Sequence, residues 1–221
     1  DNRDILILLD GMRLNEPISS GGMLQEAQLS LFNVERVEVI RGPGSALYGA
    51  NAFLGVVNII TSKKSNVLSA NLGNFDRRGS SIQASSSIND WLWSFSAEYY
   101  QDEGEHYSGF YDFQGYTEDT QDPARRVDIN LNVEFKGLSA KLRRSEREYQ
   151  DYIVTGVQLN GLQRIKTVNE SLQLKYLHNL DEHRFSYYLE MQEGLSDSLL
   201  GIFHYEPQPP GDPATGIYWT D

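Results

Sequence analysis

The sequence predicts a mainly β protein, most of which forms part of an antiparallel transmembrane β-barrel. From Asn66 onward, apolar and polar residues alternate with the period of two that is typical of strands. Turns near residues 89, 136 and 181 are short and the segments between these hairpins are long, an asymmetry typical of outer-membrane barrels. The longest apolar run, Ile5 to Leu9, is far below the ~20 residues of a spanning helix. Any membrane crossing must therefore be made by strands.

The composition excludes several classes of function. Lysines and arginines number 19 against 31 acidic residues, giving a formal charge of -12, whereas nucleic-acid binding requires a basic face. The chain has no cysteine, which excludes disulfides and thiolate metal sites. The mean hydropathy of -0.48 does not argue against a membrane protein, because barrel strands average to a polar composition.

The first part of the chain predicts a small strand-and-turn unit. The continuous apolar run Ile5 to Leu9 is typical of a strand buried on both faces, and Asp10-Gly11 predicts a turn after it. A second strand is predicted around Val34 to Ile40, which is rich in β-branched residues. Gly42-Pro43-Gly44 ends that strand, and the run from Val56 to Ile60 resumes one.

Two stretches of this unit resemble the plug domain of TonB-dependent outer-membrane receptors. They are ILILLDGMRLNEP at residues 5–17 and ERVEVIRGPGSALYGANAFLGVVNIIT at residues 35–61. The resemblance implies that residues 1–64 are the C-terminal part of a small α/β plug with mixed strands. It implies that residues 65–221 are the first roughly six to eight strands of a barrel of about 22. The motif residues that carry the resemblance are Glu35, Arg36, Glu38, Arg41, Gly42, Pro43, Gly44, Ser45, Tyr48, Gly49 and Asn51.

The same glycines fail the motifs of nucleotide-binding and hydrolytic enzymes. A dinucleotide fingerprint starting at Gly42 requires glycine where the chain has Leu47. A phosphate-binding loop starting at Gly44 requires lysine and a hydroxyl residue where the chain has Ala50 and Asn51. A nucleophile elbow fails because Ser45 directly follows Gly44 and has no glycine two residues later. We therefore predict that the protein is not an enzyme.

Charged and polar residues of the motif allow two interpretations. Strand alternation places Arg36 and Glu38 on one face and Glu35 and Arg41 on the other. These charges either form a solvated strand face, or Glu35 and Arg41 pair with charges on the barrel wall, since charges inside the lumen must be paired. Tyr48 and Asn51 either pack and shape the turn or contact a ligand, and turn geometry favours the first.

The remaining chain reads as consecutive antiparallel strands with tight turns at Asn89-Asp90, Lys136-Gly137 and Asp181-Glu182. Alternating residues on their predicted apolar faces include Leu68, Leu72, Ile82, Ile88, Trp91, Trp93, Phe95, Tyr99, Val127, Ile129, Leu131, Val133, Phe135, Leu172, Leu174, Tyr176, Phe185, Tyr187, Leu189 and Met191. The stretch from Leu138 to about Tyr152 is highly charged and is predicted to extend beyond the bilayer. The proline-rich tail from Gly201 is predicted to be a loop.

No metal or cofactor site is predicted. His106, His178, His183 and His204 lack the spacing of a zinc pair. The acidic segment 102–124 either binds calcium or is a solvated loop, and it lacks the order of a calcium-binding loop. The aromatic residues of this segment either stack on a ligand or mark the membrane interface. Trp91 lies outside the segment, near a short turn, and for this residue a place in an interfacial aromatic girdle is favoured.

The resemblance implies an energised importer of a scarce nutrient, such as a ferric siderophore or a cobalamin, in the bacterial outer membrane. Its partners would be the nutrient ligand, outer-membrane lipid and the TonB energy-coupling complex, the last through regions outside these residues. The alternative is a soluble β-rich binding or adhesion module whose strands pack as a sandwich. The two differ in whether the apolar strand faces meet lipid or a protein core.

Overall fold

The computed structural model describes residues 4–14, 30–111, 117–150, 153–154, 157–158, 164–180 and 183–199. These residues form a four-stranded sheet near the N-terminus, a seven-stranded sheet after it and two small hairpins. We call residues 1–64 the plug segment and the seven-stranded sheet the large sheet. The mainly β fold predicted from the sequence is confirmed.

The plug segment contains a mixed sheet, as the resemblance implies. Its strands are β1 (Ile5–Leu9), β2 (Met12–Arg13), β3 (Val34–Arg41) and β4 (Gly55–Thr61), in the order β2-β1-β4-β3. β1 pairs with β4 in parallel, whereas β2 and β3 pair with their neighbours antiparallel. A single-turn helix, α1 (Ser45–Tyr48), lies between β3 and β4.

A small apolar core lies on both faces of β1, as its continuous apolar sequence predicts. Leu6 and Leu8 pack with Ala52 and Val56 on one side. On the other side, Leu9 packs with Leu14 and Ile59. Fully burying a leucine or valine side chain contributes about 1.5–3 kcal/mol, so β1 and β4 form the stable centre of the plug segment.

The large sheet is antiparallel throughout and follows the order of the chain. The strands after β4 are β5 (Val67–Leu72), β6 (Arg78–Ile88), β7 (Trp91–Asp102), β8 (His106–Tyr111), β9 (Thr117–Gln121), β10 (Ala124–Phe135), β11 (Leu138–Gln150), β12 (Ile153–Val154), β13 (Val157–Gln158), β14 (Arg164–Leu180) and β15 (His183–Leu199). The sheet order is β5-β6-β7-β10-β11-β14-β15, and β8-β9 and β12-β13 form separate hairpins. Since β5 and β15 stand at opposite edges, the sheet is an open part of a barrel.

Short turns lie at one end of the large sheet and long connections at the other. Asn89 (φ 53°), Lys136 (φ 44°) and Gly137 (φ 85°) lie in the left-handed region at the two tight turns. This conformation is typical of two-residue hairpin loops. The turns predicted at 89 and 136 are thus confirmed. Asp181-Glu182, most of residues 151–163 and the tail from Gly201 lie outside the described residues.

The two faces of the large sheet differ in polarity. On β7, Ser94 and Ser96 are buried beneath the plug segment, whereas Trp91 and Trp93 are 50% and 38% exposed on the opposite face. Met191, on the same outer face, is 61% exposed. Within the described residues no second sheet covers this apolar face, so the sandwich expected of a soluble module is not formed.

The apolar outer face is bounded by aromatic rings at one end and by charges at the other. At the short-turn end, Trp91 and Phe135 stack with ring centroids 4.3 Å apart. Further along β11, outward residues change from Leu142 to Arg144, which forms an ion pair with Glu170 on β14. Aromatic rings at the short-turn end agree with the interfacial girdle predicted from the sequence, and charges further along β11 agree with the predicted extension of this strand beyond the bilayer.

Among the described residues, no helix combines the length and apolar content needed to cross a membrane.

Candidate functional site

A glycine-rich turn joins β3 to β4 and contains most of the predicted motif residues. Gly42 and Gly49 have φ values of +95° and +79°, which glycine adopts at little cost. The main-chain N–H of Gly42 donates to the carbonyl of Leu54 at 3.1 Å, and that of Gly44 donates to Ala52 at 2.8 Å. The turn that carries α1 is therefore closed by its own main-chain hydrogen bonds.

Arg13 on β2 holds this turn from the opposite side of the sheet. Its Nη1 donates to Oδ1 of Asn51 at 2.8 Å and to the carbonyl of Ala50 at 3.0 Å, and its Nη2 donates to the carbonyl of Tyr48 at 3.3 Å. Asn51 has a φ of +67°, a conformation that asparagine tolerates better than most residues. This geometry agrees with the interpretation that Tyr48 and Asn51 shape the turn. The role of Arg13 was not predicted from the sequence.

The charges of β3 pair with one another. Arg36 lies 2.8 Å from Glu35 and 2.9 Å from Glu38, and the Glu38 carboxylate raises the pKa of the Arg36 guanidinium above its ordinary value. The prediction that Arg36 and Glu38 share a face is confirmed. A register shift lies between Val34 and Arg36, and Glu35 contacts Arg36 of its own strand, while the alternative that Glu35 pairs with a charge of the barrel wall stays a prediction.

Arg41 is exposed at the end of β3, and its pairing with a wall charge stays a prediction. All residues of β3 after Val34 are exposed, which agrees with the solvated-face interpretation. The charges of the motif are therefore not the ones that join the plug segment to the described wall.

Other residues make that connection, and their contacts are polar. Three side chains of the plug segment reach the wall: Lys63 Nζ lies 2.6 Å from Glu134 Oε1, Asn33 Nδ2 donates to Ser96 Oγ at 3.0 Å, and Ser30 Oγ donates to Glu98. Two side chains of the wall reach main-chain carbonyls of the plug segment: Gln83 Nε2 donates to Ser62 at 2.6 Å, and Lys141 Nζ donates to Asp10 at 2.7 Å. We call this set the plug–wall interface. Because water can replace each of these hydrogen bonds, breaking any one of them costs little free energy.

Asp10 links the plug–wall interface to the core of the plug segment. It lies in the β1–β2 turn with a φ of 50°, where its carbonyl accepts from Lys141. Its carboxylate accepts from the Thr61 main-chain N–H at 2.9 Å and from Thr61 Oγ1 at 2.6 Å. The turn predicted at Asp10-Gly11 therefore also fastens the end of β4 and contacts the wall.

Behind the plug segment, the large sheet buries a cluster of charges. Arg147 Nη2 donates to both carboxylate oxygens of Asp128, at 2.9 and 2.8 Å. Arg143 Nη2 lies 3.9 Å from the same carboxylate, and Arg143 Nε is buried without a hydrogen-bond partner. Arg143 and the plug residues Leu9 and Phe32 line a shallow open cleft.

The acidic segment after β7 uses its carboxylates for local hydrogen bonds. Asp122 Oδ1 accepts from the Glu105 main-chain N–H at 2.7 Å, and Asp119 Oδ1 accepts from that of Gly109 at 3.1 Å. Among the described residues, no group of His, Asp and Glu side chains is arranged to hold a metal ion.

Residues 1–56 match the family model described as the TonB-dependent Receptor Plug Domain. Residues 1–56 are therefore similar to the plug domain of TonB-dependent receptors. A curated relative, the vitamin B12 transporter BtuB of Vibrio vulnificus, is 44% identical over 62 residues, which are 28% of this chain and 10% of that protein.

Two solved receptor structures share the fold of the whole plug-and-sheet arrangement. The siderophore receptor PiuA of Acinetobacter baumannii matches 89% of this chain and 30% of its own, with a TM-score of 0.61 and 16% identity. The ferric yersiniabactin uptake receptor FyuA of Yersinia pestis matches 88% of this chain and 32% of its own, with a TM-score of 0.58 and 16% identity. The chain thus spans about a third or less of these TonB-dependent receptors. The relatives named are a transporter and receptors, not enzymes.

Proposed function

We propose that the chain is part of an outer-membrane receptor that imports a scarce nutrient, such as a ferric siderophore or a cobalamin, with energy supplied through TonB. The observation that supports this most is the plug–wall interface, which is polar while the plug segment has an apolar core of its own. A plug held in this way can be moved aside and can return.

The relatives support the class of nutrient. One is named as a vitamin B12 transporter and the others as receptors for siderophores, including ferric yersiniabactin. We propose a small metal complex as the cargo, bound from outside, with its chemistry unchanged during transport. In this proposal the TonB complex supplies the force that separates the plug segment from the wall.

The organisation of the chain is part of the same proposal. We place the end of the plug at residue 64, because the plug sheet ends at Thr61 and the large sheet begins at Val67. The motif residues from Glu35 to Asn51 then have a structural role, because they build the turn that Arg13 holds. The lipid-facing surface is the apolar outer face of the large sheet.

A reversible crosslink between plug and wall tests whether transport requires their separation. Asn33 and Ser96 are in hydrogen-bond contact, and the 221 residues contain no cysteine, so Asn33→Cys with Ser96→Cys introduces one crosslinkable pair into this segment. The full-length receptor would be expressed in cells lacking their own receptors. Binding and accumulation of radiolabelled cyanocobalamin and of a panel of iron-loaded siderophores would be measured with and without TonB.

We expect saturable binding of one probe in all strains and its accumulation only when TonB is present. The crosslink should abolish accumulation and preserve binding, and a reducing agent should restore accumulation. The two single-cysteine receptors are the matched controls and should transport normally. Accumulation that persists without TonB, or with plug and wall crosslinked, would contradict the proposal.

A further inference from the structure

A row of cations on β11 faces the plug segment. Lys141, Arg143 and Arg147 lie on the same face of the strand, with Ser145 between the last two. Lys141 contacts Asp10 of the plug segment, whereas Arg143 and Arg147 face Asp128 of the large sheet. Residues two apart on a strand are separated by about 6.6 Å, so the row extends for roughly 20 Å along the strand. It runs from the end with long connections toward the short turn at Lys136-Gly137. In an outer-membrane barrel, whose short turns face the periplasm, this is the direction from the outside of the cell inward.

The cations of this row are unequally neutralised. Arg147 forms a salt bridge with both carboxylate oxygens of Asp128. Arg143 lies 3.9 Å from that already engaged carboxylate and leaves its Nε without a partner. Lys141 donates to the main-chain carbonyl of Asp10, and the carboxylate of Asp10, which accepts hydrogen bonds from Thr61, attracts both Lys141 and Arg143 from the plug side. Arg143 is buried without a carboxylate of its own, an arrangement that costs several kcal/mol, and the half-buried Lys141 forms no ion pair within the large sheet.

The neighbours of Lys141 and Arg143 on adjacent strands are neutral and polar. In the rows of strand pairing that contain these cations, the residues on the two adjacent strands are Asn130, Asn132, Ser171 and Gln173. One strand further, the rows continue with Ser94 and Ser96 on β7 and with Glu190 and Gln192 on β15. The acids one position further along, Asp128 and Glu134, are bound to Arg147 and Lys63. Cationic side chains surrounded by hydroxyl and amide groups are the chemistry that binds carboxylates and phosphates.

We infer that Lys141, Arg143 and these neutral neighbours form an anion-binding patch that the plug segment covers at rest and that receives anionic groups of the cargo during import. The inference rests on the proposed function and adds a substrate class, chelates that bear carboxylate or phosphate groups. At rest, groups of the plug occupy the positions that an anion of the cargo would take, since the Asp10 carbonyl accepts from Lys141 and Asn33 donates to Ser96. Movement of the plug breaks both contacts and leaves the donors of the patch free to bind an anion.

The local potential of the patch can be measured with a cysteine placed within it. Ser171 is paired with Arg143 in the strand register and contacts Met12 of the plug, so Ser171→Cys becomes accessible when the plug moves. In the full-length receptor, with the plug released by a few molar urea, the rates of labelling by an anionic and a cationic methanethiosulfonate would be compared. Both rates would be normalised to those of a small free thiol.

The anionic reagent should react about tenfold faster than the cationic one, because clefts lined by one sign of charge concentrate counter-ions by about tenfold or more. Lys141→Gln with Arg143→Gln should bring the ratio close to that of the free thiol. Arg144→Gln removes the same charge from the next residue of the strand, on the outer face, and should leave the ratio unchanged.

Charge-retaining variants guard against misfolding, since Lys141→Arg and Arg143→Lys should keep the preference for the anionic reagent. A ratio that is the same in all backgrounds would overturn the inference. Absence of labelling after release of the plug would also overturn it, because the patch would then never open. The assay needs neither cargo nor TonB, so its outcome is independent of whether the import proposal holds.

Discussion

Gly55 is the residue of the plug at which an added methyl group should have the largest effect. A Cβ built on Gly55 would lie 2.7 Å from the carbonyl oxygen of Ile40 on the neighbouring strand β3, closer than real Cβ atoms approach. The carbonyl belongs to the main chain, so Gly55→Ala requires β3 and β4 to separate. Overpacking of this kind costs about 1–3 kcal/mol.

Gly44 provides the matched control within the same turn. A Cβ at Gly44 would meet Val56 Cγ2 at 3.1 Å and Tyr48 Cδ2 at 3.3 Å, which are side-chain atoms that can shift slightly. Gly44→Ala should therefore cost less than Gly55→Ala, about 1 kcal/mol or below, with part of the cost arising from the poorer N-cap.

The two variants can be compared by urea titration of the full-length receptor. A fluorophore on Ser45→Cys, at the exposed start of α1, would report unfolding of the plug. With a urea dependence of about 1–3 kcal/mol per molar, Gly55→Ala should lower the midpoint by roughly 1 M, and Gly44→Ala by less. Equal midpoints for Gly55→Ala and wild type, or a larger loss for Gly44→Ala, would refute the reasoning.

Further predictions concern the turn, the plug–wall interface and the lipid face. Arg13→Met removes the hydrogen bonds to the glycine-rich turn and should destabilise the plug by about 1–2 kcal/mol in the same titration. Lys63→Met breaks the ion pair with Glu134, in which the two side chains are 36% and 33% exposed. The free energy of opening the plug should fall by about 1 kcal/mol or less, so the plug should open at a slightly lower urea concentration. The difference from wild type should shrink in 1 M salt, where the screening length is about 3 Å. Leu131→Arg places a charge on the exposed outer face of β10 and should cost about 2–4 kcal/mol on folding into lipid vesicles. Val127→Arg should cost less, because Val127 is paired in register with Glu146 in the charged part of β11, whereas Leu131 is paired with Leu142.

The strands and tight turns could be predicted from the sequence because their signals are local. Alternation on β7 and β10 follows from one face meeting polar groups and the other remaining apolar, and each strand shows it independently of the rest. The turns at Asn89-Asp90 and Lys136-Gly137 were predictable because left-handed backbone conformations favour asparagine and glycine.

The plug–wall interface could not be predicted because its partners are far apart in the chain. Lys141 and Asp10 are separated by 131 positions, and Asn33 and Ser96 by 63, and no periodicity connects such pairs. The contact between Glu35 and Arg36 could not be predicted for a different reason. A single extra residue near Val34 shifts the pairing of β3 with β4, so the alternation counted along β3 holds for Arg36 and Glu38 and changes before them.

The separation of apolar core from polar interface favours movement of the plug as a folded unit over its unfolding in place. Leu6, Leu8 and Val56 are almost fully buried inside the plug segment, and exposing each would cost about 1.5–3 kcal/mol. A hydrogen bond of the plug–wall interface, such as Asn33 to Ser96, contributes only about 0.5–1.5 kcal/mol net, because water replaces it when it breaks. A force on the plug would therefore break the contacts with this part of the wall before it breaks the pairing of β1 with β4. Hydrogen exchange under such a force should then rise at the wall contacts while the amides of β1 and β4 stay protected, and early loss of protection in those two strands would contradict this order of events.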